Sequence, residues 1–170
     1  MRTLPVKIWN EFQSAVATLS DEAPSREVLE VILFWIRSNY KHLAGEPFSV
    51  YGFEDLAKVD ERGAPVEFSS FKVSDLINFK GVILKRQARD VDAIARFLRD
   101  TVEELAAVEF DEQCPKCESE GMRVFIGKHN GLLAYQCNVC GYSHYSDGSR
   151  VESGGLEFAS GAQLREFGLI

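Results

Sequence analysis

The stretch that decides the fold begins with Cys114-Pro-Lys-Cys117 and continues, after nineteen residues, with Cys137-Asn-Val-Cys140. All four cysteines of the chain lie in these two pairs. A two-residue spacer allows one tight turn to direct both thiolates at a single ion, and a separation of about 15–20 residues returns the chain to complete a tetrahedron. The spacing therefore predicts one structural Zn²⁺, held by Cys114, Cys117, Cys137 and Cys140.

The residues between the two pairs are typical of a β-hairpin. Residues 122–126 and 132–136 are β-prone runs, and the segment between them contains Asn130-Gly131. Asparagine and glycine tolerate positive φ, which a tight hairpin turn requires. Residues 142–145 follow the second cysteine pair and are predicted to form a third strand.

Two cysteine turns joined by such strands resemble the zinc-ribbon family over residues of about 110–150. The second turn, Cys-Asn-Val-Cys-Gly-Tyr, fits the family pattern, whereas the first has Glu118 where the family often has glycine. The resemblance implies a three-stranded sheet clamped by zinc. It says little about function, because zinc ribbons occur in transcription proteins, in ribosomal proteins and in enzymes.

Two other interpretations of the site remain open at this point. The cysteines could form a redox centre, and His144, four residues after Cys140, could replace one thiolate as a ligand. Four thiolates are favoured because they close a tetrahedral shell, and we then expect an ion that does not activate water. His129 lies in the predicted hairpin turn and is expected to be solvated.

Apolar residues upstream of the ribbon recur at helical spacing and predict a mainly helical body. Residues 4–19 predict a first helix with Thr3 as its N-cap. Residues 25–43 predict a second helix whose apolar positions cover more than one face, so that it should be the central one. The aromatic residues on these two helices are expected to be core; they are Trp9, Phe12, Phe34, Trp35 and Tyr40.

Three further segments of the body have weaker or shorter patterns. A short helix is predicted within residues 52–60, and a longer one is predicted after Ser74 as N-cap, with a strand at 82–84 as the alternative. A clearer helix follows Asp90 and should end just before the ribbon.

The predicted fold class is therefore α+β, with a mainly helical N-terminal body and a C-terminal three-stranded zinc ribbon. We place the body at residues 1–109. The second domain, residues 110–170, comprises the ribbon with a short strand at 156–158 and a closing helix at 160–167, docked on the body. Leu164 and Phe167 should face inward from that helix.

The charge of the chain is unevenly distributed along the sequence. Residues 1–113 carry 14 basic and 20 acidic side chains, a net charge of −6, out of −7 for the whole chain. Nucleic-acid binding normally requires a basic field. We therefore expect a basic protein as partner, with nucleic acid less favoured.

The cysteines are spaced for a metal, and the sequence shows no export signal and no apolar run long enough to span a membrane. These features predict a cytoplasmic protein with no membrane partner.

Basic residues that could bind nucleic acid lie in two places. The segment 85–89, with Arg96 and Arg99 beyond it, is interleaved with aspartates that can pair with it along the helix surface. In the ribbon, Lys116, Arg123 and Lys128 could form a reading surface. Both sets are compatible with ordinary solvated faces.

The sequence contains no Gly-rich phosphate loop, no Gly-x-Ser-x-Gly and no His-Glu-x-x-His, and its three histidines lie outside recognisable catalytic motifs. We therefore predict no enzyme activity. The favoured function is a protein-binding module, of the inhibitor or immunity-protein type, that covers a basic partner. The alternatives are a nucleic-acid-binding or transcription-associated factor that uses the ribbon, and an enzyme with an unrecognised site in the helical body.

Overall fold

The computed structural model describes residues 2–170, and its helices and antiparallel sheet confirm the α+β class. The chain divides into two compact units. The first comprises the residues up to Glu61 together with Phe71–Leu105, and the second comprises Arg62–Ser70 and Ala106–Ile170. Among the described residues, no helix combines the length and the apolar character that crossing a membrane requires.

The first unit is built from helices. They are α1 (Val6–Thr18), α2 (Ser25–Ser38), α3 (Tyr40–Leu43), α4 (Phe53–Ala57), α5 (Val73–Lys85) and α6 (Val91–Ala106). The predicted short helix at 52–60 is confirmed as α4. The segment at 82–84 is helical, so the alternative of a strand there is wrong.

The helix boundaries correct three predictions. Thr3 does not cap α1, because Pro5 is the residue that precedes the helix, and its carbonyl accepts from the N–H of Trp9 at 3.2 Å. The predicted helix to residue 43 is interrupted at Asn39, which has φ −118° and separates α2 from α3. Ser74 lies inside α5; the carboxylate of Asp75 instead accepts from the N–H of Lys72 at 2.8 Å, just before the helix begins.

Helix α2 supplies much of the core of the first unit, as its two-faced apolar pattern predicts. Six of its side chains are buried: Val28, Leu29, Ile32, Leu33, Trp35 and Ile36. The ring of Trp35 stacks on Phe12 of α1 at 4.5 Å, and its indole N–H donates to the carbonyl of Ile8 at 3.0 Å. Phe34 contradicts the expectation that the aromatic set is core, because it is 73% exposed.

A five-stranded antiparallel sheet forms most of the second unit. Its strands are β1 (Glu109–Gln113), β2 (Glu120–Gly127), β3 (Leu133–Cys137), β4 (Ser143–Tyr145) and β5 (Leu156–Phe158). The order is β1-β2-β3-β4, and β5 pairs with the end of β2. The hairpin, the third strand and the short C-terminal strand are confirmed; β1 extends the sheet beyond the prediction and pairs with the first half of β2.

One face of this sheet has its own apolar core. Val124 and Ile126 of β2 pack with Leu133 of β3 and with Leu164 of the closing helix α7 (Gly161–Glu166). Ser160 caps α7: its hydroxyl accepts from the N–H of Gln163 at 3.1 Å, and the Gln163 side chain accepts from the N–H of Ser160 at 2.8 Å. Leu164 faces inward as predicted.

Phe167 does not face inward. It follows the last residue of α7 and remains 46% exposed. The C-terminal residues Leu169 and Ile170 pack against the apolar core instead. The N–H of Leu169 donates to the carbonyl of Leu164 at 2.9 Å, which turns the chain back over the helix.

Leu164→Ala should therefore lower the free energy of unfolding by about 2–5 kcal/mol, because it leaves a cavity under α7. Phe167→Ala is the matched control, and we expect a change of less than about 1 kcal/mol because this side chain is partly solvated. Urea unfolding followed by circular dichroism measures both. Equal losses in the two variants would contradict the packing described here.

Candidate metal centre

The four cysteines lie together in space. Their sulfur atoms are all within 4.8 Å of one another. Cys114 Sγ lies 3.7 Å from Cys140 Sγ, and Cys117 Sγ lies 3.6 Å from Cys137 Sγ. These distances are far longer than a disulfide bond of about 2.05 Å. A tetrahedral ion with metal–sulfur bonds of about 2.3 Å requires sulfurs about 3.8 Å apart, so the cluster fits such an ion.

The two cysteine turns have the same hydrogen bonds, position by position. In the first, the N–H of Lys116 donates to Cys114 Sγ at 3.4 Å, and the N–H of Glu118 donates to the carbonyl of Cys114 at 2.9 Å. In the second, the N–H of Val139 donates to Cys137 Sγ at 3.4 Å, and the N–H of Gly141 donates to the carbonyl of Cys137 at 3.0 Å. Donation from backbone amides stabilises thiolates, which is the form that binds a metal.

The strands determine where the two turns meet. Cys114 directly follows β1, and Cys137 is the last residue of β3. Cys137 is also in register with Met122 of β2, and Met122 is fully buried between the two buried cysteines. Cys117 and Cys140 are exposed. The centre therefore has an apolar inner side and a solvent-facing outer side.

Each turn ends on a residue in the left-handed region. Gly141 has φ 74°, which glycine adopts without a steric penalty, whereas Glu118 has φ 63°. Glu118 is the only non-glycine residue with positive φ in the described part of the chain. The departure from the ribbon pattern that the sequence shows at this position thus has a structural consequence, which is a backbone conformation that costs about 1–2 kcal/mol.

The thiols influence one another's ionisation strongly. The hydrogen bond between Cys117 Sγ and Ser119 Oγ, at 3.2 Å, lowers the pKa of Cys117 to about 6. The N–H of Tyr142 acts to lower the pKa of Cys140, but burial and the three neighbouring thiols outweigh it and raise that pKa to about 11. A first thiolate therefore forms readily, while a full set requires a cation to compensate the accumulated charge.

The histidines lie outside the cluster. His144 of β4 is not among the grouped ligands of the described residues, and its ring packs 5.5 Å from Tyr135 and 5.8 Å from Tyr142. The interpretation of His144 as a ligand is not supported by this geometry. His129 is exposed in the loop between β2 and β3, as expected.

The position of the cysteine cluster at the end of an antiparallel sheet is compatible with a zinc ribbon. Comparisons of the chain with models of known protein families, with curated proteins and with solved structures give no match. The resemblance therefore rests on the cluster itself and on the strands that carry it.

The sequence alone did not indicate that Ser119 and Met122 belong to the site. Ser119 contacts Cys117 through the turn, and Met122 contacts the buried cysteines through the strand register.

Two separate substitutions at the ends of the cysteine turns, Gly141→Ala and Glu118→Gly, should affect metal retention differently. Gly141→Ala places a side chain in the left-handed region, and because no atom lies within 4 Å of the new Cβ, the cost is purely conformational. Glu118→Gly relieves the same strain but gains freedom in the unfolded chain, so we expect a net stabilisation of less than about 1 kcal/mol.

Competition of each metal-loaded variant against a chelator measures this difference. Gly141→Ala should lose metal at a lower chelator concentration than the parent, and Glu118→Gly at an equal or higher one. Gly154→Ala is the matched control, since Gly154 has φ 71° with equally open space and lies in a loop without metal ligands. Weaker retention in Glu118→Gly would contradict the equivalence of the two turns.

Proposed function

We propose that the metal is Zn²⁺ and that its role is structural. Sulfur–sulfur distances of 3.6 and 3.7 Å carry this assignment, because four soft thiolates in a tetrahedral arrangement are the donor set that structural zinc prefers. Cys114, Cys117, Cys137 and Cys140 would hold the ion. With four protein ligands the shell is closed, which leaves no position for a reactive water.

We further propose that the protein is a non-enzymatic binding module that covers a basic partner protein, in the manner of an inhibitor or immunity protein. The observation that carries this proposal is the net charge of −6 on residues 1–113. Charge of one sign accelerates the encounter with a partner of the opposite sign and disfavours nucleic acid. The closed thiolate shell supports a non-catalytic role for the metal.

Nucleic-acid binding through the ribbon is the alternative, and the burial of Arg123 weighs against it. This residue is only 8% exposed, although the alternative needs it on the surface beside Lys116 and Lys128. Phosphate contacts require accessible cations, since their number sets both affinity and salt dependence. The remaining basic residues of the ribbon are too few to form a continuous basic stripe.

Metal analysis of protein prepared without chelator should give one equivalent of zinc per chain. Replacement by Co²⁺ should give the visible absorption of tetrahedral thiolate coordination. In Cys137→Ser, the loss of one ligand removes folding free energy that a small sheet cannot supply. We expect proteolysis to digest residues 114–170 of this variant while the N-terminal helices persist. A disulfide within either cysteine pair in the native protein would contradict the assignment.

A protein that is captured with this chain as bait, after nuclease treatment, should be basic. The rate at which it associates with this chain should fall as ionic strength rises. Stopped-flow or surface-based kinetics at several salt concentrations measure the rate. Duplex DNA should bind no more tightly than about 10⁻⁴–10⁻⁶ M at physiological salt. Submicromolar binding to nucleic acid that is lost in Lys116→Ala with Lys128→Ala would favour the ribbon alternative, and an association rate insensitive to salt would contradict the basic partner.

A further inference from the structure

A groove of about 580 Å³ lies between α1 and α2 in the first unit. Helix α1 contributes Phe12 and Ala15 to it, while α2 contributes Val31, Phe34 and Trp35. The groove therefore has an apolar lining on a helical body that is otherwise acidic. Trp35 belongs to the buried face of α2, whereas Val31 and Phe34 lie outside that face, so the groove borders the core of the unit.

The floor of the groove is rigid. Phe12 and Trp35 are buried, their rings stack at 4.5 Å, and the Trp35 indole is fixed by its hydrogen bond to the carbonyl of Ile8. Phe34 differs from them, because its ring is 73% exposed at the edge. Rigid aromatic surface beside one exposed aromatic side chain is the composition found at the centres of protein interfaces.

The rim of the groove is acidic. Glu11 of α1 and Glu27 and Glu30 of α2 line it together with the apolar residues. All three are exposed. Glu27 and Glu30 form no ion pair with any residue between 2 and 170, and Glu11 reaches only Lys7, at 4.0 Å. Their charge is thus available to a group that enters from outside.

We propose that this groove docks a helix of the partner protein, and that this helix has an apolar face flanked by lysines or arginines. This inference rests on the proposed function, because it specifies the surface on which the basic partner would bind. The lining residues of α2 extend from Glu27 to Ser38 at helical spacing. At 1.5 Å per residue this is about 16 Å, the length of roughly three helical turns. Two helices that present such a stripe receive a third amphipathic helix in the helix-in-groove mode.

The charges select among the occupants that an apolar groove could accept. A second copy of this chain, placed by two-fold symmetry, would bring the same three glutamates together, which is unfavourable. An anionic lipid surface would be repelled by the same rim. A basic amphipathic helix satisfies both the apolar floor and the acidic edge.

The test uses two synthetic 12-residue peptides with leucines at positions 1, 4, 5 and 8. The two peptides differ only in their charged residues, which are lysines in one peptide and glutamates in the other. We expect the lysine peptide to bind the full-length protein in a fluorescence titration, and the glutamate peptide not to bind. Phe34→Ser, and separately Glu27→Lys with Glu30→Lys, should weaken binding of the lysine peptide about tenfold or more.

Two control variants separate the groove from general surface effects. Ile77→Ser removes an apolar residue that is 57% exposed on α5, and Glu46→Lys reverses an exposed charge that does not line the groove. Both should change the dissociation constant less than about twofold, and circular dichroism should show that all variants remain folded. Equal effects of control and groove variants, or no binding of the lysine peptide to the parent protein, would overturn the proposal.

Sedimentation and partner binding distinguish the remaining outcomes. A concentration-dependent dimer that Phe34→Ser abolishes would assign the groove to a second copy and overturn the proposal. If a captured basic protein binds Phe34→Ser as tightly as it binds the parent, the groove proposal fails while the proposed function stands. If the lysine peptide binds in the groove but no basic protein associates in a salt-dependent manner, the proposed function fails and the groove remains a peptide site.

Discussion

The second unit of this protein depends on the close approach of four thiols. Two pairs of sulfurs 3.6 and 3.7 Å apart cannot all carry charge without a cation between them. The ends of β1 and β3 bring the two turns to this point. A metal ion converts the repulsion into a cross-link between strands that are distant in sequence, which is the largest stabilising contribution available to so small a sheet.

The cysteine cluster and its hairpin could be predicted because the relevant information is local. Cys-x-x-Cys spacing and Asn130-Gly131 specify turns without reference to the rest of the chain. The strand β1 could not be predicted in this way. Its sequence, Glu-Phe-Asp-Glu-Gln, has mostly exposed side chains and no apolar alternation, so only its hydrogen-bonded partner β2 makes it a strand. The placement of Arg62–Ser70 in the second unit is equally non-local, as the bond from Gly161 N–H to the carbonyl of Gly63 illustrates.

The helices show the same division between local and non-local information. Apolar periodicity predicted where helices lie, but not the residues at which they begin, because Pro5 and Pro24 precede α1 and α2 without a side-chain cap. Periodicity also could not separate buried from exposed aromatic residues on α2, since Phe34 and Trp35 are adjacent and lie on different faces. Which face is covered depends on the neighbouring helices, and that information is absent from the spacing.

The exposure of Phe34 is best understood from the rest of α2. Six other side chains of this helix already bury its inner face, so folding does not require an aromatic residue on the outside. A single exposed apolar side chain is ordinary on a protein surface. Phe34, however, adjoins an apolar groove whose floor is made of stacked aromatic rings. Its rim carries Glu27 and Glu30, which form no ion pair within residues 2–170. Contiguous apolar surface with a polar rim is the arrangement that marks binding sites, and here the sign of the rim also specifies the charge of what binds.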